Sequence, residues 1–408
     1  MPTHVGPNIS GEENLVFGYD LSDQKNSYLG EPTTNLANNT PLLGGWPGSY
    51  TLIDSATKTF DFTTSSVEWG GVASWTTFYY NVSEYTGQYV TISAVVESFD
   101  ETSGVFNFMW IGQTINEETY LGYSPEQDRN TKTTKTRERI SWSGVIGTGG
   151  KVGILIWMNN GSGGSSGSVK VRFSNIQVEV KSHPTPFVNG TRSATQGLID
   201  VTGNSTINLS DVSFNSNASM LFDGTNDKIQ TVQTTHSYLN SSAIEFVVTP
   251  NVINKRMTVG GYRHNEGYSQ PTIGMVYIGD DNVFRSSVIT AAEVYRSVAS
   301  TTTIVANQTY HVVLNKNTAT GVLEIFVNGS SQNSTTFSVS TYGQWTTAGS
   351  YIGSDYLDFG KSFNTNSGQG WSSDYLNGTI HLFKLYSRTL NSTEVLNNYN
   401  NIKRKYGI

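Results

Sequence analysis

The sequence predicts an all-β protein made of two β-sandwich domains and closed by a single helix. Three observations carry this. Charged residues are only 14% of the 408 while aromatics are 12% and glycines number 41, a mixture that suits pleated, half-buried strands joined by turns needing positive φ. Short apolar-polar alternations recur along most of the chain, punctuated by Gly, Asn and Asp. The closing stretch, NGTIHLFKLYSRTLNSTEVLNNYNNIKRKYGI, then breaks the habit with one well-signalled helix.

Taken in order, residues 1–35 carry turn signals in GPNISGEEN and LGEPTTNL with little alternation, and read as an amino-terminal arm. Residues 36–181 hold recurrent strands, among them WTTFYYNVS, YVTISAVVESF, GVFNFMWIG, KVGILIWMNN and VKVRFSNIQVEV. In the second of these Val90, Ile92, Ala94 and Val96 alternate with more polar neighbours, which sets one face on a core. NNGSGGSSGS reads as a hairpin loop, because strand-like sequence resumes at once on both sides. A linker over 182–193 is marked by Pro184 and Pro186, which push the residues before them toward extended conformations. Residues 194–408 form the second domain, with strands such as AIEFVVTP and TIGMVYIG, and with VYIGDDNVF expected as a hairpin turning on Asp and Asn.

The terminal helix has a defined start. Asn391 stands at the N-cap, Glu394 three residues on supplies the reciprocal half of a capping box, and Leu390 and Val395 occupy the two positions of a hydrophobic staple. Val395, Leu396, Tyr399 and Ile402 then share a face expected to lie on the sandwich, leaving Asn397, Asn398, Asn401 and Arg404 outward.

Several function classes are excluded by composition. The chain has no cysteine, so disulfides and thiolate metal sites are ruled out. Its formal charge of −7 is the wrong sign for a nucleic-acid footprint, and the basic stretch RNTKTTKTRERIS reads as a solvated face. The amino terminus has no basic segment followed by an apolar one, and no eighteen apolar residues run together, so the expectation is a soluble protein made in a cytoplasm, without membrane insertion.

Two stretches carry family resemblances. TYHVVLNKNTATGVLEIFVNG, MLFDGTNDKI and NGTIHLFKLYSRTLNSTEV resemble, in that order, the strands, the Asp-Gly-x-Asn-Asp turn and the closing strand and helix of the laminin-G, or concanavalin A-like lectin/glucanase, superfamily. Tyr310 stands where a Trp is usual, followed by His311, and the second strand ends in Phe326, Val327, Asn328 and Gly329. GQYVTISAVVES, TRERISWSGVI and VRFSNIQVEV resemble strands of carbohydrate-binding-module-like jelly rolls. The combination of both, together with the amino-terminal LVFGYDLSDQKNSYLGEPTTNL, resembles virion structural proteins of tailed phages, especially marine ones.

Catalytic apparatus is not visible. The paired acids of glucanases on this fold, Glu-x-Asp-x-x-Glu, are not found, and Glu68 and Glu324 stand alone. The six histidines have no metal spacing, His311 and His381 lie in strands as structural hydrogen-bond partners, and neither a nucleophile elbow nor a phosphate loop occurs. Sugar binding asks for aromatic faces beside polar groups, and loop aromatics supply candidates: Trp371 and Tyr375, Trp345 and Tyr342, Tyr120 and Tyr123. The resemblance also implies a calcium site at Asp223, Asn226 and Asp227, while the same residues suit a turn held by Asx hydrogen bonds.

The function expected from these readings is non-enzymatic: a virion surface protein, decorating a head or serving as a tail fibre, that adheres to host-surface polysaccharide. Its partners would be other virion proteins and copies of itself, with no cofactor other than the candidate calcium. The rivals are a polysaccharide-degrading enzyme of the same fold and a ligand-free capsid cement.

Overall fold

The computed structural model describes residues 13–408 apart from 47, 66–73, 102–105, 115–128, 135, 159–166, 233–240, 263–272, 290–294, 338–356 and 360–374. Among these residues, apart from the helix Ser392–Tyr406 and a short 3-10 turn at Ser83–Tyr85, the regular elements are strands. The chain divides into two compact units: Met1–Gly30 with Ala194–Asn215 and Ser219–Ile408, and Glu31–Ser193 with Ser216–Ala218. One unit is thus inserted in the sequence of the other.

In the first unit an eight-stranded antiparallel sheet runs in the order Ser213–Phe214, Met220–Asp223, Asn377–Tyr386, Ser242–Pro250, Tyr310–Asn317, Val322–Val327 and Ser330–Thr336, with Leu15–Asp20 also paired to Asn377–Tyr386. A seven-stranded sheet contains Met257–Tyr262, Ile273–Ile278, Val283–Ile289 and Tyr295–Thr303 as consecutive neighbours. Ile278 and Val283 bracket the expected hairpin, whose turn residue Asn282 adopts φ 60°. Phe246, Val248, Val312, Leu314, Phe383 and Leu385 from the first sheet meet Val259, Val276, Ile278 and Phe284 from the second in one core. Segment 15–20, part of the stretch read as an arm, is a strand of this unit: Phe17 and Tyr19 are fully buried and lie 6.1 and 6.4 Å from the Phe383 ring.

The helix covers the other face of the eight-stranded sheet. Its start is as the sequence indicates, with Asn391 Oδ1 accepting from the Glu394 amide at 3.0 Å and Glu394 accepting from the Asn391 amide at 2.8 Å. Leu390 and Val395 join one buried cluster with Val313, Phe326 and Tyr386. Asn315 clamps this entry by donating to the Leu390 carbonyl at 2.6 Å and accepting from its amide at 3.0 Å. Asn391→Ala is expected to cost about 1 kcal/mol, read as a small downward shift in the unfolding midpoint of this unit.

Further along, the helix departs from the sequence expectation. Val395 and Ile402 are buried, but Leu396 is 46% exposed and Asn398 turns inward. Asn398 donates to Glu245 Oε2 at 3.0 Å. Glu245 has no solvent exposure, and it also accepts from Tyr386 Oη at 2.8 Å, lies 2.8 Å from His311 Nε2 and has the Lys384 ammonium 3.7 Å away. A carboxylate under a helix needs donors more than apolar cover, and Asn398 supplies one. The helix ends on Asp20, which accepts from Lys405 Nζ at 2.6 Å and Tyr406 Oη at 2.5 Å.

The second unit is a jelly-roll-like sandwich of two five-stranded sheets. One runs Glu138–Val145, Tyr89–Glu101, Ser168–Glu179, Thr59–Ser65, Gly48–Asp54; the other runs Leu42–Trp46, Ser74–Asn81, Lys151–Met158, Phe106–Thr114, Arg129–Lys132. Val90, Ile92, Ala94 and Val96 all face its core, with Phe60, Phe62, Phe78, Ile154 and Phe173. The strands before and after NNGSGGSSGS, Lys151–Met158 and Ser168–Glu179, lie in different sheets. Those two strands are therefore not paired with each other as a hairpin would require, and residues 159–166 of the segment itself lie outside the described residues.

Candidate functional site

In the second sheet of the jelly roll the alternation of each strand separates two sets of residues. Phe78 and Tyr80, Met109 and Ile111, and Val152, Ile154, Ile156 and Met158 point to the core. Tyr79, Trp110, Leu155 and Trp157, of opposite parity, form a separate cluster on the other face. Trp110 and Leu155 are buried within it, whereas Tyr79 and Trp157 are half-buried.

Three local features shape this face. Gly153 lies opposite Tyr79 in the ladder, and a Cβ there would fall 2.3 Å from the Phe78 carbonyl oxygen and 2.8 Å from Tyr79 Cβ, so only glycine lets the strands and the tyrosine sit this close. The Lys151 ammonium lies 5.2 Å from the Tyr79 ring centroid, within cation–π range. Thr77, opposite Leu155, is fully buried, and its hydroxyl has no hydrogen-bond partner. A buried hydroxyl without a partner is costly, and with no exposed surface it belongs to the packing beneath the rings. Aromatic surface beside a cation suits a ligand with one apolar face and a polar rim.

None of these residues was singled out from the sequence. The signal is present in GVFNFMWIG and KVGILIWMNN, where Trp110 and Trp157 fall on the parity opposite to the core residues, but assigning the parity needs the register.

Of the loop aromatics expected to bind sugar, Trp371, Trp345, Tyr342, Tyr120 and Tyr123 lie outside the described residues. Tyr375 is half-buried and leads into Leu376, which is buried in the core of the first unit. The turn at Asp223, Asn226 and Asp227 is closed by its own side chains. Asp223 Oδ1 accepts from the Thr225 and Asn226 amides at 2.7 and 3.3 Å, and Asp227 Oδ2 accepts from the Ser213 and Asp223 amides at 3.1 and 3.0 Å. Burial pushes the Asp227 carboxyl upward against those hydrogen bonds, and Asp223 nearby adds to the rise. One oxygen of each carboxylate is thus committed to backbone amides in an Asx arrangement. Among the described residues no three His, Asp or Glu side chains converge as a metal-ion set.

Two other buried carboxylates are fully engaged. Glu245 holds the helix as described, and in the jelly roll Glu179 accepts from Thr33 Oγ1, Gln177 Nε2 and the Thr185 amide and hydroxyl at 2.7–2.9 Å. Both are structural acceptors closed to solvent. His311 and His381 also serve the structure, the latter 2.8 Å from Thr249 Oγ1 and held down at about 4 by burial, with Asp20 opposing.

A sandwich of two antiparallel sheets with its terminal helix laid on one of them defines a lectin-like architecture for the first unit. The family described as the concanavalin A-like lectin/glucanases superfamily, laminin-G type, matches residues 223–396, and this part of the chain is similar to it. A search of curated proteins returns no match. Among solved structures, the chain is similar to the Ruminococcus gnavus IT-sialidase CBM40 bound to α2,3-sialyllactose, with 14% identity over 39% of this chain and 83% of that one, at a TM-score of 0.31. It is also similar to a native heptameric SAP-like pentraxin from Limulus polyphemus, with 11% identity over 47% and 80% and a TM-score of 0.31. A third is the botulinum neurotoxin type G receptor binding domain, with 23% identity over 51% of this chain and 49% of that one, at a TM-score of 0.35. At such identities and scores nothing about ligands passes from these proteins to this chain.

Proposed function

We propose that this protein is a non-enzymatic glycan-binding protein that takes hold of polysaccharide through the aromatic face of its jelly roll. The observation that carries the proposal is the set of Tyr79, Trp157 and Lys151 on the face away from the core. The engagement of Glu245 and Glu179 in internal hydrogen bonds supports a binding role over hydrolysis, which needs carboxyl groups open to substrate.

The fuller form of the proposal follows the family resemblance: the protein sits on the surface of a tailed-phage particle, in contact with other virion proteins and further copies of itself, and holds host-surface polysaccharide. Many copies on one particle make a modest single-site affinity sufficient.

An array of bacterial capsular and lipopolysaccharide glycans probed with the whole protein is the test. Retention of at least one polysaccharide without release of reducing ends supports the reading. Retention of none overturns it, and release of reducing ends would replace it with an enzyme. Immunogold labelling of purified particles separately tests the location, since particles left unlabelled with the epitope accessible would remove the virion assignment and leave glycan binding intact.

A further inference from the structure

The two sheets of the jelly roll differ in charge, and the difference bears on the kind of glycan. Every strand of the sheet that contains Tyr89–Glu101 carries at least one carboxylate, from Asp54 and Asp61 to Glu97, Glu138 and Glu179. The five strands of the sheet that bears the aromatic face, Leu42–Trp46, Ser74–Asn81, Lys151–Met158, Phe106–Thr114 and Arg129–Lys132, contain no Asp or Glu. In a chain with 32 acidic against 25 basic residues, this sheet runs against the net charge. Of its lysines, Lys132 is buried and taken up by Glu138 of the other sheet, while Lys151 has no carboxylate partner among the described residues.

Lys151 lies directly opposite Asn81 in the ladder, and directly opposed residues of antiparallel strands share a face. Tyr79, on the same strand and parity as Asn81, holds the ammonium 5.2 Å from its ring centroid. Lys151 is half-buried and Asn81 exposed. Asn81 Oδ1 accepts from the Ser83 amide at 3.0 Å, which fixes the carboxamide and leaves its Nδ2 a donor with no protein acceptor among the described residues. An oriented ammonium and an amide donor thus stand side by side on a sheet without carboxylates. A sugar hydroxyl could accept from either, but a negatively charged group adds the Coulomb attraction of the ammonium and strengthens both bonds.

We infer that the glycan is acidic, and that Lys151 and Asn81 together hold a negatively charged group of it, a carboxylate or a sulfate or phosphate ester, at the Tyr79 end of the face. This inference rests on the glycan-binding reading above and names the class of its ligand. It requires affinity to depend on the charge of the sugar and, for a charge pair open to water, to weaken as salt rises.

The probes are the polysaccharides the array retains, each titrated calorimetrically against the whole protein before and after neutralisation: carboxyl groups reduced to alcohols in one sample, sulfate and phosphate esters removed in another. Binding about tenfold or more weaker after one of the two treatments is the expected result, and the treatment that acts tells carboxylate from ester. Lys151→Gln, which keeps most of the stem but not the charge, should weaken binding of the native polysaccharide by a similar factor and leave that of the neutralised one unchanged, while Lys151→Arg retains binding. Asn81→Asp is the second variant should Lys151→Gln lose the unfolding transition of the jelly roll: it keeps the oxygen that accepts from Ser83, sets a competing carboxylate beside Lys151, and should weaken binding likewise. Unchanged affinity after both treatments, or retention of neutral polysaccharides only, would overturn the inference while leaving glycan binding standing. An array that retains nothing fails the functional reading itself.

Discussion

Replacing Phe17 with alanine is expected to destabilise the first unit by about 3–5 kcal/mol, although Phe17 is more than two hundred residues from most of that unit's sequence. The strand Leu15–Asp20 pairs with Asn377–Tyr386, and Phe17 and Tyr19 enter the core with no exposed surface. Gly18, between them, donates its amide to Asp200 Oδ1 at 3.1 Å, and burial pushes the Tyr19 phenol upward. Removing the phenyl ring leaves a cavity against Phe383, and the ladder on either side prevents the strand from collapsing into it. Deleting the chain through Asp20 should act more strongly, because it strips a strand from the sheet and takes the acceptor from Lys405 and Tyr406 at the helix end. Denaturant unfolding followed by two probes, one in each unit, reads the effect: the transition of the first unit shifts and that of the jelly roll stays. An unchanged first transition would mean that the strand is an ornament.

Glu245→Ala is expected to cost a similar amount, about 3–5 kcal/mol, because it leaves Lys384 buried without its counter-charge and deprives Tyr386 and Asn398 of their acceptor. The same group gives a pH signature. Burial alone would raise its carboxyl; the charge of Lys384, followed by the hydrogen bond and charge of His311 and the bond from Tyr386, outweighs this and holds it at about 2, against an ordinary value of 4.5. A carboxyl depressed in the folded state stabilises fully above its unfolded value, and this contribution is lost as pH falls from there through about 2. The wild-type first unit should therefore weaken progressively below about pH 4.5, and Glu245→Ala should remove this carboxyl's share of the slope. A slope unchanged in the variant would place the acid sensitivity elsewhere.

The two cases mark what the sequence makes legible. Capping is local chemistry, and Asn391, Glu394, Leu390 and Val395 are read within five residues of each other, so the helix start is visible in the sequence. The face of the helix is not: Leu396 is exposed and the half-buried Asn398 turns to Glu245 because the sheet beneath contains a charge, and only the fold brings residues 245 and 398 together. The strand at 15–20 is concealed for the same reason, since its partner lies at the far end of the chain and the turn signals around it suggest an arm. All-β character and the strands of both units follow from alternation, as the burial of Val90, Ile92, Ala94 and Val96 illustrates. The aromatic face is harder to see. KVGILIWM is apolar on both parities, so nothing local separates Ile156, which faces the core, from Trp157, which does not.

That the jelly-roll face holds polysaccharide is tested most directly by passing the whole protein and its Trp157→Ala variant, both shown to unfold cooperatively, over the same immobilised bacterial polysaccharides. The expected result is retention of the wild-type protein and loss of most of that retention in the variant. Equal retention of the two would place the glycan elsewhere on the molecule and contradict the role assigned to this face.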